Sequence, residues 1–250
     1  MLRRLNDMIG FTVQATDGQV GQVADFWFDD AAWTVRYMVV DTGPWLLGRK
    51  VLIAPDALGT PFWDGAILPV DLSQEQVENS PEVDLERPVS RHQLLDLNEH
   101  YGWPATWTGA PLLGTTYIGT RPEISVERDQ EQQDAEPPSG ERHLRSVREV
   151  VGYRLEATDG AIGHVKDLFA DETAWALRYL VVDTRNWLPG RDVLLATEWI
   201  NRIGWTDGLV QVKVTKEQVR NSPEYDPEPP VSRDYEANLH GYYGFPGYWV

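Results

Sequence analysis

Trp33-Thr34-Val35-Arg36-Tyr37-Met38-Val39-Val40-Asp41-Thr42 is the stretch on which the fold turns. It returns as Trp175-Ala176-Leu177-Arg178-Tyr179-Leu180-Val181-Val182-Asp183-Thr184, 142 positions later. In the first copy Trp33, Val35, Tyr37 and Val39 fall on one side and Met38 and Val40 on the other, so both faces are largely apolar. A strand of that kind is central, in a closed barrel or beneath another layer. Its mid-strand arginine needs a charged partner.

The same shift carries the flanking sequence with it. Ala15-Thr16-Asp17-Gly18 falls on Ala157-Thr158-Asp159-Gly160, Gly21 on Gly163 and Asp25 on Asp167. Further on, Trp45-Leu46 falls on Trp187-Leu188 and Asn79-Ser80-Pro81-Glu82 on Asn221-Ser222-Pro223-Glu224. Tyr101-Gly102, Pro104 and Trp107 fall on Tyr243-Gly244, Pro246 and Trp249, and no gap is needed. A period this long marks a duplicated unit rather than a solenoid repeat of roughly 20–50 residues. The units run over residues 1–107 and 143–250, with an acidic, Pro-containing linker at 108–142.

Each unit reads mainly as strands. Residues 9–15, 21–28, 33–42 and 50–54 are strand-like, and 62–70 reads as a hairpin around Asp64-Gly65. Ser73-Gln74-Glu75-Gln76 and Thr215-Lys216-Glu217-Gln218 are capping boxes opening short helices that Pro81 and Pro223 stop. A second helix starts at Ser90 or Ser232 and ends in an aromatic tail. The expected fold class is all-β with short helices: two small barrels, each followed by short helices and a tail. Side chains fill the interior of so small a barrel.

Composition narrows the function. The net charge of −17 disfavours nucleic acid and anionic lipid, which are held chiefly by Lys/Arg clusters. With no Cys, thiolate chemistry and Cys-ligated metals are excluded. No apolar run approaches the roughly 18 residues of a membrane span, and the N-terminus lacks a signal-peptide core. The expectation is a cytoplasmic protein with no transmembrane segment and no cofactor.

The chain resembles the PRC-barrel family in a tandem arrangement. The residues that carry the likeness are Gly10, Thr16-Asp17-Gly18-Gln19-Val20-Gly21, Asp25 and Arg36-Tyr37-Met38-Val39-Val40-Asp41. Gly152, Thr158-Asp159-Gly160-Ala161-Ile162-Gly163, Asp167 and Arg178-Tyr179-Leu180-Val181-Val182-Asp183 repeat it. The resemblance implies a small all-β barrel acting as a docking or assembly module, as in the photosynthetic reaction-centre H subunit and a ribosome-maturation factor. It brings no catalytic residue set.

Candidate residues follow. Arg36 with Asp25, and Arg178 with Asp167, are expected as structural ion pairs between adjacent strands. The other carboxylates match no calcium loop, and none of His92, His100, His143, His164 and His240 recurs at an equivalent position, so no metal or catalytic site is expected. The interaction surface is expected at Trp45, Leu46, Trp187 and Leu188 in the loops, and at Tyr101, Trp103, Trp107, Tyr243, Phe245, Tyr248 and Trp249 in the tails. The resulting expectation is a non-enzymatic scaffold that docks a protein partner, with the two barrels paired within the chain and a homo-oligomer left open. The alternative is a regulatory protein binding a small molecule or metal between the barrels.

Overall fold

A computed structural model describes residues 1–81, 91–103, 144–184 and 191–249. Trp107, Trp187, Leu188, His143 and the linker at 108–142 lie outside the described residues. In chain order the first half holds β1 (Leu2–Arg4), β2 (Thr12–Gln14), β3 (Gln19–Asp29), β4 (Thr34–Asp41), β5 (Lys50–Ile53), β6 (Ile67–Pro69), α1 (Gln74–Glu78) and α2 (Arg91–Tyr101). The second holds β7 (Leu144–Ser146), α3 (Val147–Val150), β8 (Arg154–Ala157), β9 (Gly160–Asp171), β10 (Leu177–Asp183), β11 (Asp192–Ala196), β12 (Ile200–Gly204), β13 (Leu209–Val212), α4 (Lys216–Arg220) and α5 (Arg233–Tyr243). The protein is mostly strands in two sheets, with a few short helices.

The strand order is β5-β4-β3-β2-β6 in the first sheet and β11-β10-β9-β8-β13-β12 in the second. β11 turns a corner at the 3₁₀ turn Thr197–Trp199 and continues as β12, which pairs β13. One bent strand therefore links the two ends of the sheet and curls it round its core. In the first half, bridges Leu58↔Val70 and Phe62↔Ile67 mark the same closure. Both capping boxes form, at Ser73/Gln76 and Thr215/Gln218. Gly21 and Gly163 hold φ of 153° and 144°. A Cβ there would lie 2.2 Å from the Asp41 carbonyl oxygen and 1.9 Å from that of Asp183, so these positions need glycine.

β4 is buried on both faces. Val35, Met38 and Val40 join the core with Phe26 and Phe28. Tyr37 and Val39 face outward into a cluster with Leu52 and Leu97 of α2, so the helix is the covering layer. Val35 therefore shares a face with Met38 and Val40, not with Tyr37 as strict alternation has it. The cause is a β-bulge: Trp27 pairs Tyr37 and Phe28 pairs Val35, leaving Arg36 as the extra residue that shifts the phase. In β10 the pairs Tyr179↔Phe169 and Leu177↔Ala170 leave Arg178 in the same position. The bulge is how an arginine sits mid-strand without entering the core.

The halves exchange their first strands. β1 pairs with β9 of the second sheet, from Leu2↔Asp171 to Arg4↔Phe169. β7 pairs with β3 of the first sheet through the matching residues, from Leu144↔Asp29 to Ser146↔Trp27. Boundaries read from the repeat assign β1 to the first unit and β7 to the second, whereas each completes the sheet of the other. Between the sheets, Val35 donates to the Trp175 carbonyl at 2.8 Å and Leu177 to the Trp33 carbonyl at 2.7 Å, around the bridge Thr34↔Ala176. Thr34 and Ala176 are themselves equivalent, so a pseudo-two-fold axis passes between them, the geometry of an isologous dimer. Among the described residues the pairing rests on backbone exchange.

Side chains fasten the exchange symmetrically. The Arg3 guanidinium lies 4.4 Å from the Trp63 ring centroid and 3.2 Å from Glu172 of the other half. Its counterpart Arg145 lies 4.3 Å from the Trp205 ring and 3.5 Å from Asp30. Each arginine thus ties a tryptophan of its own half to a carboxylate of the other.

Candidate binding surfaces

The carboxylates Asp25 and Asp167 are not the partners of Arg36 and Arg178. Asp25 lies across from Val39 in the β3–β4 ladder, too far along the strand from the bulged Arg36. Arg36 instead donates from Nη2 to Asp29 at 3.3 Å. Asp29 is fully buried and also caps its turn by accepting from the amides of Ala31 and Ala32. In the second half Asp171 caps Thr173 and Ala174 in the same way. Burial pushes its carboxyl up, but those two amides, the N-terminal ammonium and Arg178 outweigh it and hold Asp171 below the ordinary carboxylate value.

Asp25 and Asp167 hold the exchanged arms. Asp25 accepts from the Ser146 hydroxyl and from the Arg148 amide at 3.2 Å, both at the start of the second half. Asp167 accepts from the Asn6 amide at 3.2 Å. Burial raises both pKa values. The Ser146 hydroxyl and the Phe26 and Arg148 amides pull Asp25 part of the way back. Asp167, where Arg4 stands in place of the serine, is pushed up to about 6 by burial, which the Leu168 and Asn6 amides and the Arg4 charge counter only in part and the Asp7 charge reinforces.

The second tail lies on the outward face of β10, and Tyr101 and Trp103 of the first lie on that of β4. In the second half Tyr179 donates to Glu236 at 3.0 Å and meets His240 Nε2 at 2.9 Å. His240 Nδ1 donates to the Pro246 carbonyl at 2.8 Å, since a carbonyl can only accept. Glu236 also accepts from Tyr248 at 2.8 Å and pairs with Arg233 at 3.2 Å. The Tyr248 ring lies 4.0 Å from the Arg178 guanidinium. Trp199 packs against His240, Tyr243 and Phe245 at 5.0, 4.5 and 5.4 Å between centroids. Glu236 and His240 are buried. Burial, then the Glu236 carboxylate, drives the Tyr179 hydroxyl far above its ordinary pKa and that of Tyr248 to about 12.

Among the described residues the first half places fewer polar groups on this face. Tyr37 donates to Asn98 at 3.3 Å, and Tyr101 stacks on Trp103 at 4.2 Å. Burial raises Tyr37 to about 12, with Arg36 and Asn98 opposing. In the repeat, Asn98 aligns with His240, Leu94 with Glu236, Ala57 with Trp199 and Thr106 with Tyr248. A cavity of about 180 Å³ opens beside Arg36, and a second of about 140 Å³ lies beside Asp25.

Reading the repeat missed Glu236 and set His240 aside because neither recurs in the first half. The available signal was their spacing of four, which puts both on one face of α5. Of the loop residues, Trp45 is exposed, Leu46 is half-buried and Leu47 is 97 % exposed. Tyr243 is buried, Phe245 and Tyr248 are half-buried and pack on the core, and Trp249 is exposed. Among the described residues no three His, Asp or Glu gather as a metal site requires, and no helix is long and apolar enough to cross a membrane.

Residues 2–66 match the family model of the PRC-barrel domain. The first half carries a PRC-barrel domain. The matched span runs from the exchanged β1 to the hairpin before β6 and includes the bulged Arg36. The second half repeats the strand order of the first in its own sheet. No curated protein matches the chain.

Proposed function

We propose that this tandem protein is a non-enzymatic cytoplasmic scaffold that docks a protein partner through its loop and tail surfaces. The PRC-barrel domain supports a binding or scaffold role in general. The observation that carries the finer reading is the loop Gly43–Arg49. Leu47, a γ-branched residue, is almost wholly exposed and sits in the left-handed region at φ 57°, ψ 33°. Holding a non-glycine residue there costs about 1 kcal/mol, and a leucine in water recovers none of it. The loop is nonetheless built firmly: Gly48 donates to the Gly43 carbonyl at 2.6 Å, and Arg49 donates to the carbonyls of Glu78 and Ser80. A strained apolar residue held outward beside Trp45 suits an anchor for a partner's pocket.

The buried Tyr179–Glu236–His240 network supports a clamp rather than a catalyst, since each of its polar groups is engaged by another part of the protein. The test is quantitative capture of interacting proteins from the native host by wild type and by Leu47→Ser. The variant should keep the wild-type melting temperature and lose its specific partner by at least about tenfold. A variant that captures the same protein as well as wild type would sink the reading.

A further inference from the structure

We propose that the cavity beside Arg36 is a binding site for a small planar aromatic ring bearing a hydrogen-bond acceptor. This goes beyond the docking surface and does not depend on it. The cavity lies between the halves: Arg36, Tyr37, Asn98 and Trp103 line it from the first, and Thr173 and Trp175 from the second. At about 180 Å³ it has room for a single ring and its substituent.

The second half shows what this geometry accepts. There the arginine of the bulge, Arg178, carries a phenol ring on its face at 4.0 Å, supplied by Tyr248. In the first half the sequence has Thr106 at the tyrosine's position, Ala57 at that of Trp199 and Asn98 at that of His240. Each replacement removes a ring, and the arginine is unchanged. Arg36 is positioned for the same contact. Asp29 engages its Nη2, while its Nε has no hydrogen-bond partner among the described residues. A guanidinium face is weakly hydrated and stacks on aromatic rings. Trp103 and Trp175 add apolar walls. Tyr37 spends its proton on Asn98 Oδ1, which leaves the Asn98 amide nitrogen to donate to a ligand. A flat ring with an oxygen or ring nitrogen at its edge meets all of these groups.

The probe is p-cresol, the free form of the Tyr248 side chain, titrated into the full-length protein by NMR. A ligand of so few heavy atoms should saturate at roughly millimolar concentration. The wild type should show saturable shifts and intermolecular NOEs to the Trp103 and Trp175 indoles. Cyclohexanol, which cannot stack, should bind at least about fivefold more weakly. Arg36→Lys keeps the charge for Asp29 and loses the planar face; it should weaken p-cresol about fivefold. Ala54→Phe fills the cavity and should abolish binding. No saturation by about 10 mM, NOEs to other residues, or equal binding of cyclohexanol would each overturn the proposal. The wild-type measurements decide the matter even if both variants fail to fold.

Discussion

The two halves share a strand order, a bulged arginine and an exchanged first strand, yet they finish the outward face of the central strand differently. Over β10 the second half places Tyr248, Glu236, His240 and Trp199, each in contact with another of the set. Over β4 the first half places Tyr37, Asn98 and the Tyr101–Trp103 stack, and leaves a cavity at Arg36. Duplication has kept what holds the sheets together and changed what covers them. The conserved set is backbone geometry and ion pairs at the pseudo-two-fold axis. The divergent set is aromatic and polar side chains on α2, α5 and the tails, where a substitution alters a surface without disturbing the fold.

The largest expected effect tests the shared part. In both halves the glycine stands against the carbonyl of the central strand's last residue, and a Cβ added there would lie 2.2 Å from that oxygen at Gly21 and 1.9 Å at Gly163. Either Gly→Ala change must push the strands apart at a φ that L-residues rarely adopt. Each should cost about 3–5 kcal/mol in urea unfolding, and the two should agree within about 1 kcal/mol. A much smaller cost on one side would break the equivalence of the halves.

That shared part was largely readable from the sequence. The shift of 142 fixed the strands, the glycines and both capping boxes, because each depends on local residues that recur. The strand exchange was not readable. Leu2–Arg4 makes the same kind of ladder with either sheet, and nothing in three residues tells one β3-like strand from the other. The Arg36 partner was misplaced for a related reason: a bulge leaves no mark on an apolar run, so the adjacent strand offered Asp25 as the partner where the structure has Asp29. The tail network was not legible because a repeat marks the residues that recur, whereas Glu236 and His240 diverged.

A middle-sized effect tests the divergent part. Tyr179→Phe leaves Glu236 and His240 buried and short of a partner, which should cost about 2 kcal/mol. Tyr37→Phe removes one long bond to Asn98 and should cost about 1 kcal/mol or less. Thermal unfolding of the two single variants measures the difference. Equal losses would mean that the polar network adds nothing to the clamp on the second tail.

The last effect concerns the carboxylates that hold the exchanged arms, and its sign follows from burial. Asp167 has a folded pKa of about 6 against an ordinary 3.8. Between those values the folded protein binds more protons at this site than the unfolded chain does, so its contribution to stability declines as pH rises through that window and stays lowered above it. Relative to Asp167→Asn, the wild type should lose roughly 2 kcal/mol between pH 4 and pH 7. The asparagine keeps an oxygen for the Asn6 and Leu168 amides, so at pH 7 the variant should be at least as stable as wild type. Asp25→Asn should gain less, because the Ser146 hydroxyl and the Arg148 amide already stabilise the ionised form. Urea unfolding of the three proteins across pH 4–8 reads both slopes. If Asp25 and Asp167 titrate alike, the serine that faces only one of them has no bearing on how the arm is held, and the difference between the two junctions is one of sequence alone.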